Sequence, residues 1–294
     1  MSHFDQLQRF IFEHADVRGA LVQLEKAHFD AIASHDYPKP IQALLSQFLN
    51  ATVMLSTSLK FEGTITLQAR TDGPLSAIMA DCSSHTKVRC IAQYDESLED
   101  SAYDVPFSEL FKSGVLVMTI DPKVGKRYQG IVPLESNSLS EALAEYFKQS
   151  EQLDTRIWFF NDENRSAGMM LQVLPGENVL PKHENSEFFH HVGTIADTLS
   201  SDEALSLEAE QILHRLYHEE TVRIFDPAEV EFECTCSMDK IAQALSSVPQ
   251  SEMIQALEEH GGELKVDCQF CNKVYRFNQN DLDLIYAEQP KTTH

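Results

Sequence analysis

The sequence is poor in positive charge: 23 Lys and Arg stand against 46 Asp and Glu over 294 residues, a formal net charge of −23. Such a field repels phosphate backbones and anionic lipid headgroups, so neither nucleic acid nor a membrane surface is an expected partner. Long apolar runs are missing as well. The best, Gly114 to Ile120, is strand-length, far short of the roughly eighteen residues a spanning helix needs. Residues 1–18 carry Asp5, Arg9, Glu13, His14, Asp16 and Arg18 and lack the basic and apolar regions of a secretory signal. These absences predict a soluble, cytoplasmic chain.

Catalytic signatures are also lacking. No Gly-x-Ser-x-Gly occurs, and no cysteine is accompanied by a placed base. His214-Arg-Leu-Tyr-His218 has two imidazoles one helical turn apart but lacks the glutamate of the metalloprotease motif, so solvated helix positions are expected. Val124-Gly125-Lys126-Arg127 has Ile120 where a phosphate loop needs its first glycine and Arg127 where it needs Ser or Thr, and reads as a turn between strands. An enzyme is not expected.

With 43% hydrophobic residues, the chain has enough material for a core and predicts an α+β fold of more than one unit. Phe4, Leu7, Ile11 and Phe12 have helical spacing, whereas residues 19–29 alternate as a strand. After the breaker Tyr37-Pro-Lys-Pro40, the apolar stripe Ile41, Leu44, Leu45, Phe48 and Leu49 predicts an amphipathic helix. Residues 61–70 and 75–82 predict a hairpin, and residues 87–94, 114–120 and 128–133 predict further strands. Ser138 to Glu141 has capping-box spacing ahead of a helix over 142–149. Residues 156–160 and 167–174 read as a closing pair of strands ended by Pro175-Gly176. From there strand signals fade, and between Leu199 and Glu233 ten acids face two arginines, the texture of a marginal helical connector without a core of its own. The expected organisation is an N-terminal mixed sheet-and-helix domain over 1–180, a helical linker over 181–231 and a small C-terminal domain over 232–294.

The informative feature lies in that last segment. Of six cysteines, Cys82 and Cys90 stand apart in the first half and read as buried thiols, while Cys234-Thr-Cys236 and Cys268-Gln-Phe-Cys271 form two close pairs separated by residues 237–267. In a reducing compartment this is not a disulfide framework, and four thiols in two pairs suit a tetrahedral Zn²⁺. A tail so small would owe much of its folding energy to the metal. Three readings remain open at this point: a structural Cys₄ site, a thioredoxin-like dithiol, and a redox-sensing site in which oxidation removes the thiolates that hold the metal.

The spacing Cys-x-Cys, thirty-odd residues, Cys-x-x-Cys resembles that of the 33 kDa chaperonin family, redox-regulated holdase chaperones. The likeness extends to Gly63-Thr-Ile-Thr-Leu-Gln68 with Gly73-Pro-Leu75, to Leu116–Lys123 with Tyr128–Leu134, and to the segment Ser138–Gln152, and it covers nearly the whole chain. Ile65 in place of Leu or Val, and Asn137 in a loop usually richer in glycine, are departures that do not touch the thiols. The resemblance implies one zinc per chain held by Cys234, Cys236, Cys268 and Cys271 in a reduced, inactive state. It further implies that oxidation pairs Cys234 with Cys236 and Cys268 with Cys271, expels the metal and loosens the linker. Unfolding client proteins are then captured without ATP by an active homodimer. The alternatives are a structural zinc-ribbon interaction module without redox control and a thiol oxidoreductase.

Overall fold

A computed structural model describes residues 4–57, 62–84, 86–175 and 179–287. The chain begins with β1 (Gln6–Phe12), β2 (Val17–Leu24), α1 (Lys26–Ile32) and α2 (Lys39–Ser56). It continues through β3 (Gly63–Arg70), β4 (Leu75–Ser83), β5 (Lys87–Tyr94), α3 (Phe107–Leu110), β6 (Val115–Pro122), β7 (Tyr128–Pro133) and α4 (Leu139–Tyr146). Next come β8 (Thr155–Asn161), β9 (Ser166–Val173), α5 (Lys182–Ala196), α6 (Ser201–Ser206), α7 (Ala209–Tyr217), β10 (Val222–Ile224), β11 (Ala228–Glu229) and β12 (Glu231–Phe232). The last elements are α8 (Met238–Leu245), α9 (Gln250–Glu259), β13 (Leu264–Asp267), β14 (Val274–Phe277) and α10 (Gln279–Ala287). Contacts divide the chain into two compact units, residues 1–233 and 234–294. The mixed α+β class expected from the sequence is the class observed.

Unit 1 holds two six-stranded sheets. One has the order β10-β1-β2-β9-β8 with β11 also paired to β1, and the other the order β12-β5-β4-β3-β6-β7. The hairpin β3–β4 and the pair β8–β9 form as the alternation predicted. Phe61 and Gly176, at the ends of two expected strands, lie outside the described residues. α2 starts behind Pro38, with Pro40 in its first turn where the missing N–H costs nothing, and buries Ile41, Leu45, Phe48 and Leu49. α4 is capped by the Ser138 side chain, which accepts from the Glu141 backbone N–H.

The N-terminal segment corrects the sequence reading: residues 6–12 are strand, not helix. Both faces of this sheet are covered, so Leu7 enters one hydrophobic cluster and Phe10 and Phe12 the other. A strand buried on both faces shows no clean alternation, and its apolar residues can fall at helical spacing by accident. The strand expected over 19–29 ends at Leu24. There the Asp5 carboxylate accepts the backbone N–H groups of Glu25 (3.0 Å), Lys26 (3.1 Å) and Ala27 (2.8 Å) and sets the first turn of α1.

The acidic segment is helical, as expected, and its helices pack against the first sheet and not around a core of their own. Phe189, Val192 and Ala196 of α5, Ala204 and Leu205 of α6, and Ile212, Leu213 and Tyr217 of α7 pack with Phe10, Phe12, Val17, Leu21, Met169 and Leu171 of the first sheet. Asp202 of α6 and Glu210 of α7 are exposed, while the apolar stripes face the sheet. Polar clasps add to this. Arg156 donates from Nη2 to both carboxylate oxygens of Asp197 at 2.7 Å, Trp158 Nε1 donates to the same group at 2.9 Å, and Gln23 Nε2 donates to the carbonyls of Ala204 and Leu207 at 2.8 Å each. Strand structure also persists beyond the helices: β10 and β11 pair with β1, and β12 pairs with β5.

Unit 2 is small. Leu257, Leu264, Cys268, Tyr275, Phe277 and Leu282 are its buried hydrophobic cluster, with Cys234, Cys236 and Cys271 packed against them.

Candidate metal centre

Each cysteine pair sits in a turn that the local sequence builds. Cys234 and Cys236 precede α8, whose N-cap Ser237 accepts from the Lys240 backbone N–H at 3.2 Å, and Lys240 Nζ donates to the Thr235 carbonyl at 2.8 Å, pinning the residue between the two thiols. Cys268 and Cys271 occupy the turn of the β13–β14 hairpin. That turn closes through Asn272 N–H to Cys268 O at 2.8 Å and Cys268 N–H to Lys273 O at 3.0 Å, with Asn272 in the left-handed region at φ 54°. The backbone N–H groups of Cys236 and Lys273 also donate to the sulfurs of Cys234 and Cys271.

The two knuckles bring all four sulfurs within 4.8 Å of one another, the only group of three or more metal-ligating side chains so placed among the described residues. Two of the separations, 3.6 Å for Cys234 Sγ to Cys268 Sγ and 3.6 Å for Cys236 Sγ to Cys271 Sγ, run between the knuckles. A tetrahedron of thiolates at the zinc–sulfur bond length has edges of about 3.8 Å, so the cluster fits a Cys₄ zinc site. Tyr275, which nothing in its spacing marked, donates from its hydroxyl to Cys236 Sγ at 3.0 Å, and Lys273 Nζ lies 5.3 Å from its ring centroid.

The electrostatics are uneven. Burial raises the Cys234 thiol and pushes Cys271 up to about 12. Burial works the same way on Cys236, but the Tyr275 hydroxyl and the three neighbouring sulfurs outweigh it and bring that thiol down to about 7. A divalent ion at the centre of the cluster would hold all four sulfurs ionised.

Cys82 and Cys90 are fully buried in unit 1, where desolvation pushes Cys82 up to about 12 and raises Cys90 as well, so both are unreactive in the folded chain. His214 and His218 are exposed, their ring centroids 6.0 Å apart. His260 caps the C-terminus of α9 ahead of Gly261 and Gly262, both at positive φ. Phe189 and Phe160 belong to the core over which the acidic helices lie, and Phe159 packs on the opposite face.

The Hsp33 protein family model matches residues 5–278. The chain belongs to the Hsp33 family. It is 44% identical over 287 residues to a 33 kDa chaperonin of Pseudomonas aeruginosa, an alignment covering 98% of this chain and 96% of that one. It is 42% identical over 283 residues to a 33 kDa chaperonin of Pseudomonas fluorescens, covering 96% and 94%. The fold matches a crystal structure of the 33 kDa chaperonin of Thermotoga maritima with a TM-score of 0.79 at 22% identity, covering 96% of this chain and 98% of that one. These relatives carry the name of a chaperone and not of an enzyme.

Proposed function

We propose that this protein is a redox-regulated, ATP-independent chaperone that holds unfolding clients once its C-terminal thiols are oxidised. The observation that carries the reading is the four-sulfur cluster, which suits zinc in size and donor type and sits in a unit with few other buried side chains. Membership of the Hsp33 family and the names of the relatives support the chaperone role. Cys234, Cys236, Cys268 and Cys271 would hold one Zn²⁺, which when bound supplies folding energy to unit 2 and keeps the sulfurs as thiolates.

Oxidation proceeds on the thiolates. A thiolate attacks hydrogen peroxide, breaking the O–O bond to give a sulfenic acid and hydroxide, which takes a proton from solvent, and a second thiol then displaces water from the sulfenic acid, so that each disulfide formed reduces one peroxide by two electrons. We assign the pairs as Cys234 with Cys236 and Cys268 with Cys271, neighbours in sequence that remain close when the knuckles separate. Two disulfides would leave none of the four thiolate donors that could hold a metal.

In this reading residues 181–231 act as a metastable linker between a client-binding domain over 1–180 and the switch over 232–294. Undocking α5–α7 would uncover Phe10, Phe12, Val17, Leu21, Met169 and Leu171, a contiguous apolar surface. The ten acids between Leu199 and Glu233 repel one another and lower the cost of undocking. The active species is a homodimer in the cytoplasm.

The test is light scattering from a heat-unfolded client, run with reduced, zinc-loaded protein and with peroxide-treated protein, while a chromogenic chelator reports zinc. Suppressed aggregation after oxidation only, with about one zinc released per chain, is the expected result. Equal holding by both forms, or none after oxidation, would return the cluster to a structural role.

A further inference from the structure

The segment between the helices and the first knuckle is an extended strap fastened along the edges of both sheets. β11 lies antiparallel to β1, with Gln6 opposite Glu229 and Leu7 opposite Ala228. One residue later the Val230 N–H donates to the Asp5 carbonyl at 2.7 Å. β12 then runs parallel to β5, the Glu231 N–H donating to Thr86 O and the Glu233 N–H to Val88 O, both at 3.0 Å. β11 and β12 are two residues each, and Cys234 follows Glu233 directly in the chain.

The strap has a period of two. Ala228, Val230 and Phe232 point inward onto the main core of unit 1, with Val230 only 1% exposed, while Glu229, Glu231 and Glu233 face out. Lys87 Nζ pairs with Glu231 and lies 3.6 Å from Glu233, a local cation in a strongly acidic protein. Asp5, held in the left-handed region at φ 60°, takes part from both sides: its carboxylate sets α1 and its carbonyl holds Val230.

If the strap lifts, the carbonyls of Thr86 and Val88 and the seat of Val230 stand open along a sheet edge, an arrangement that recruits extended polypeptide by strand addition. We propose that Ala228–Glu233 is a resident stand-in for a client, and that the groove beneath it binds an extended segment of an unfolding protein in which apolar residues alternate with acidic ones. The backbone ladder supplies sequence-tolerant affinity, the seat of Val230 takes an aliphatic side chain, and Lys87 takes a carboxylate. This inference rests on the chaperone reading for the identity of the occupant. The groove itself is defined by the strap already seated in it, and the strap's short ladder ends where the first metal ligand begins, so loss of the knuckle frees its C-terminal end.

The probe is a fluorescent peptide with the sequence of residues 226–233, compared by anisotropy with the same peptide carrying Glu231→Pro and Glu233→Pro, which removes the two N–H donors and leaves the apolar residues in place. Full-length protein is used in its reduced, metal-loaded and oxidised forms, together with two reduced variants that weaken the strap and leave the groove intact. Val230→Asp places a charge in the buried seat, and Glu231→Lys with Glu233→Lys sets like charge against Lys87 on the surface. The second variant decides the matter if the first does not fold. Peptide binding at least tenfold tighter to the oxidised protein and to a folded strap variant than to the reduced parent, and at least tenfold weaker for the proline peptide, is the expected result. Equal binding of the two peptides, or no gain in any folded strap variant, overturns the groove. Light scattering from a client on the same samples separates the two ideas. Clients held after oxidation without peptide binding would sink the groove and leave the chaperone reading standing, and proline-sensitive peptide binding by a strap variant without any client holding would do the reverse.

Discussion

Residues 1–233 bury large side chains on both faces of a sheet, among them Phe10, Phe48, Phe111 and Tyr217 at under 2% exposure, whereas the described residues from 234 on bury six side chains, one of them a cysteine. Helix α8 illustrates the contrast: it is strongly amphipathic, yet none of its residues is fully buried. One unit buries much apolar area, whereas the other buries little and, on the proposed reading, would owe its stability to a metal held by its four sulfurs.

Loss of the proposed metal site is expected to break the comparison most sharply. Chelation at neutral pH, or Cys268→Ser, is expected to cost unit 2 on the order of 10 kcal/mol and to melt α8–α10, with unit 1 intact. Hydrogen exchange resolved by segment checks this; loss of protection in β2 and β9 alongside α9 would show that the units are not independent. Phe48→Ala, in the centre of α2 and fully buried, is expected to destabilise unit 1 by about 3–5 kcal/mol with unchanged metal affinity, as read by urea unfolding and a competition titration with a chromogenic chelator.

Acid sharpens the comparison inside unit 1. His28 is buried between α1, α2 and β9, its Nδ1 3.1 Å from Ser166 Oγ and 3.4 Å from Ser46 Oγ, and desolvation holds the imidazole down to about 4. The unfolded chain takes up the proton first as pH falls, so stability complete above about 6.5 is lost between 6.5 and about 4, some 3 kcal/mol in all. Urea midpoints followed by Trp158 fluorescence should slope across that window and flatten in His28→Gln.

Two smaller effects lie at the edges of each unit. Tyr275→Phe, which deletes the donor to Cys236 Sγ, is expected to weaken metal binding about tenfold and leave Trp158 fluorescence unchanged. Arg156→Ala removes the clasp on Asp197, and because Asp197 is half exposed the expected cost is only about 1 kcal/mol, read as faster exchange in α5 and not as a shift in global unfolding.

Much of this was legible in the sequence because the signals were local. The period-two run of β3, the apolar stripe of α2, the capping residues of α4 and the two cysteine knuckles each depend on neighbours within a few positions, and each formed where its spacing placed it. Residues 6–12 were misleading because a strand covered on both faces loses its alternation, and the packing of the acidic segment was not legible because the stripes of α5–α7 are completed by β1 and β2, far earlier in the chain, together with β9. Composition and spacing alone determined the kind of chemistry, four soft ligands in two pairs. Only the tertiary structure decided that Tyr275 reaches Cys236, that Asp5 ties α1 to the strap, and that Ala228–Glu233 closes two sheet edges. Those contacts join residues far apart in sequence, and no local pattern encodes which distant groups the fold will bring within hydrogen-bond reach.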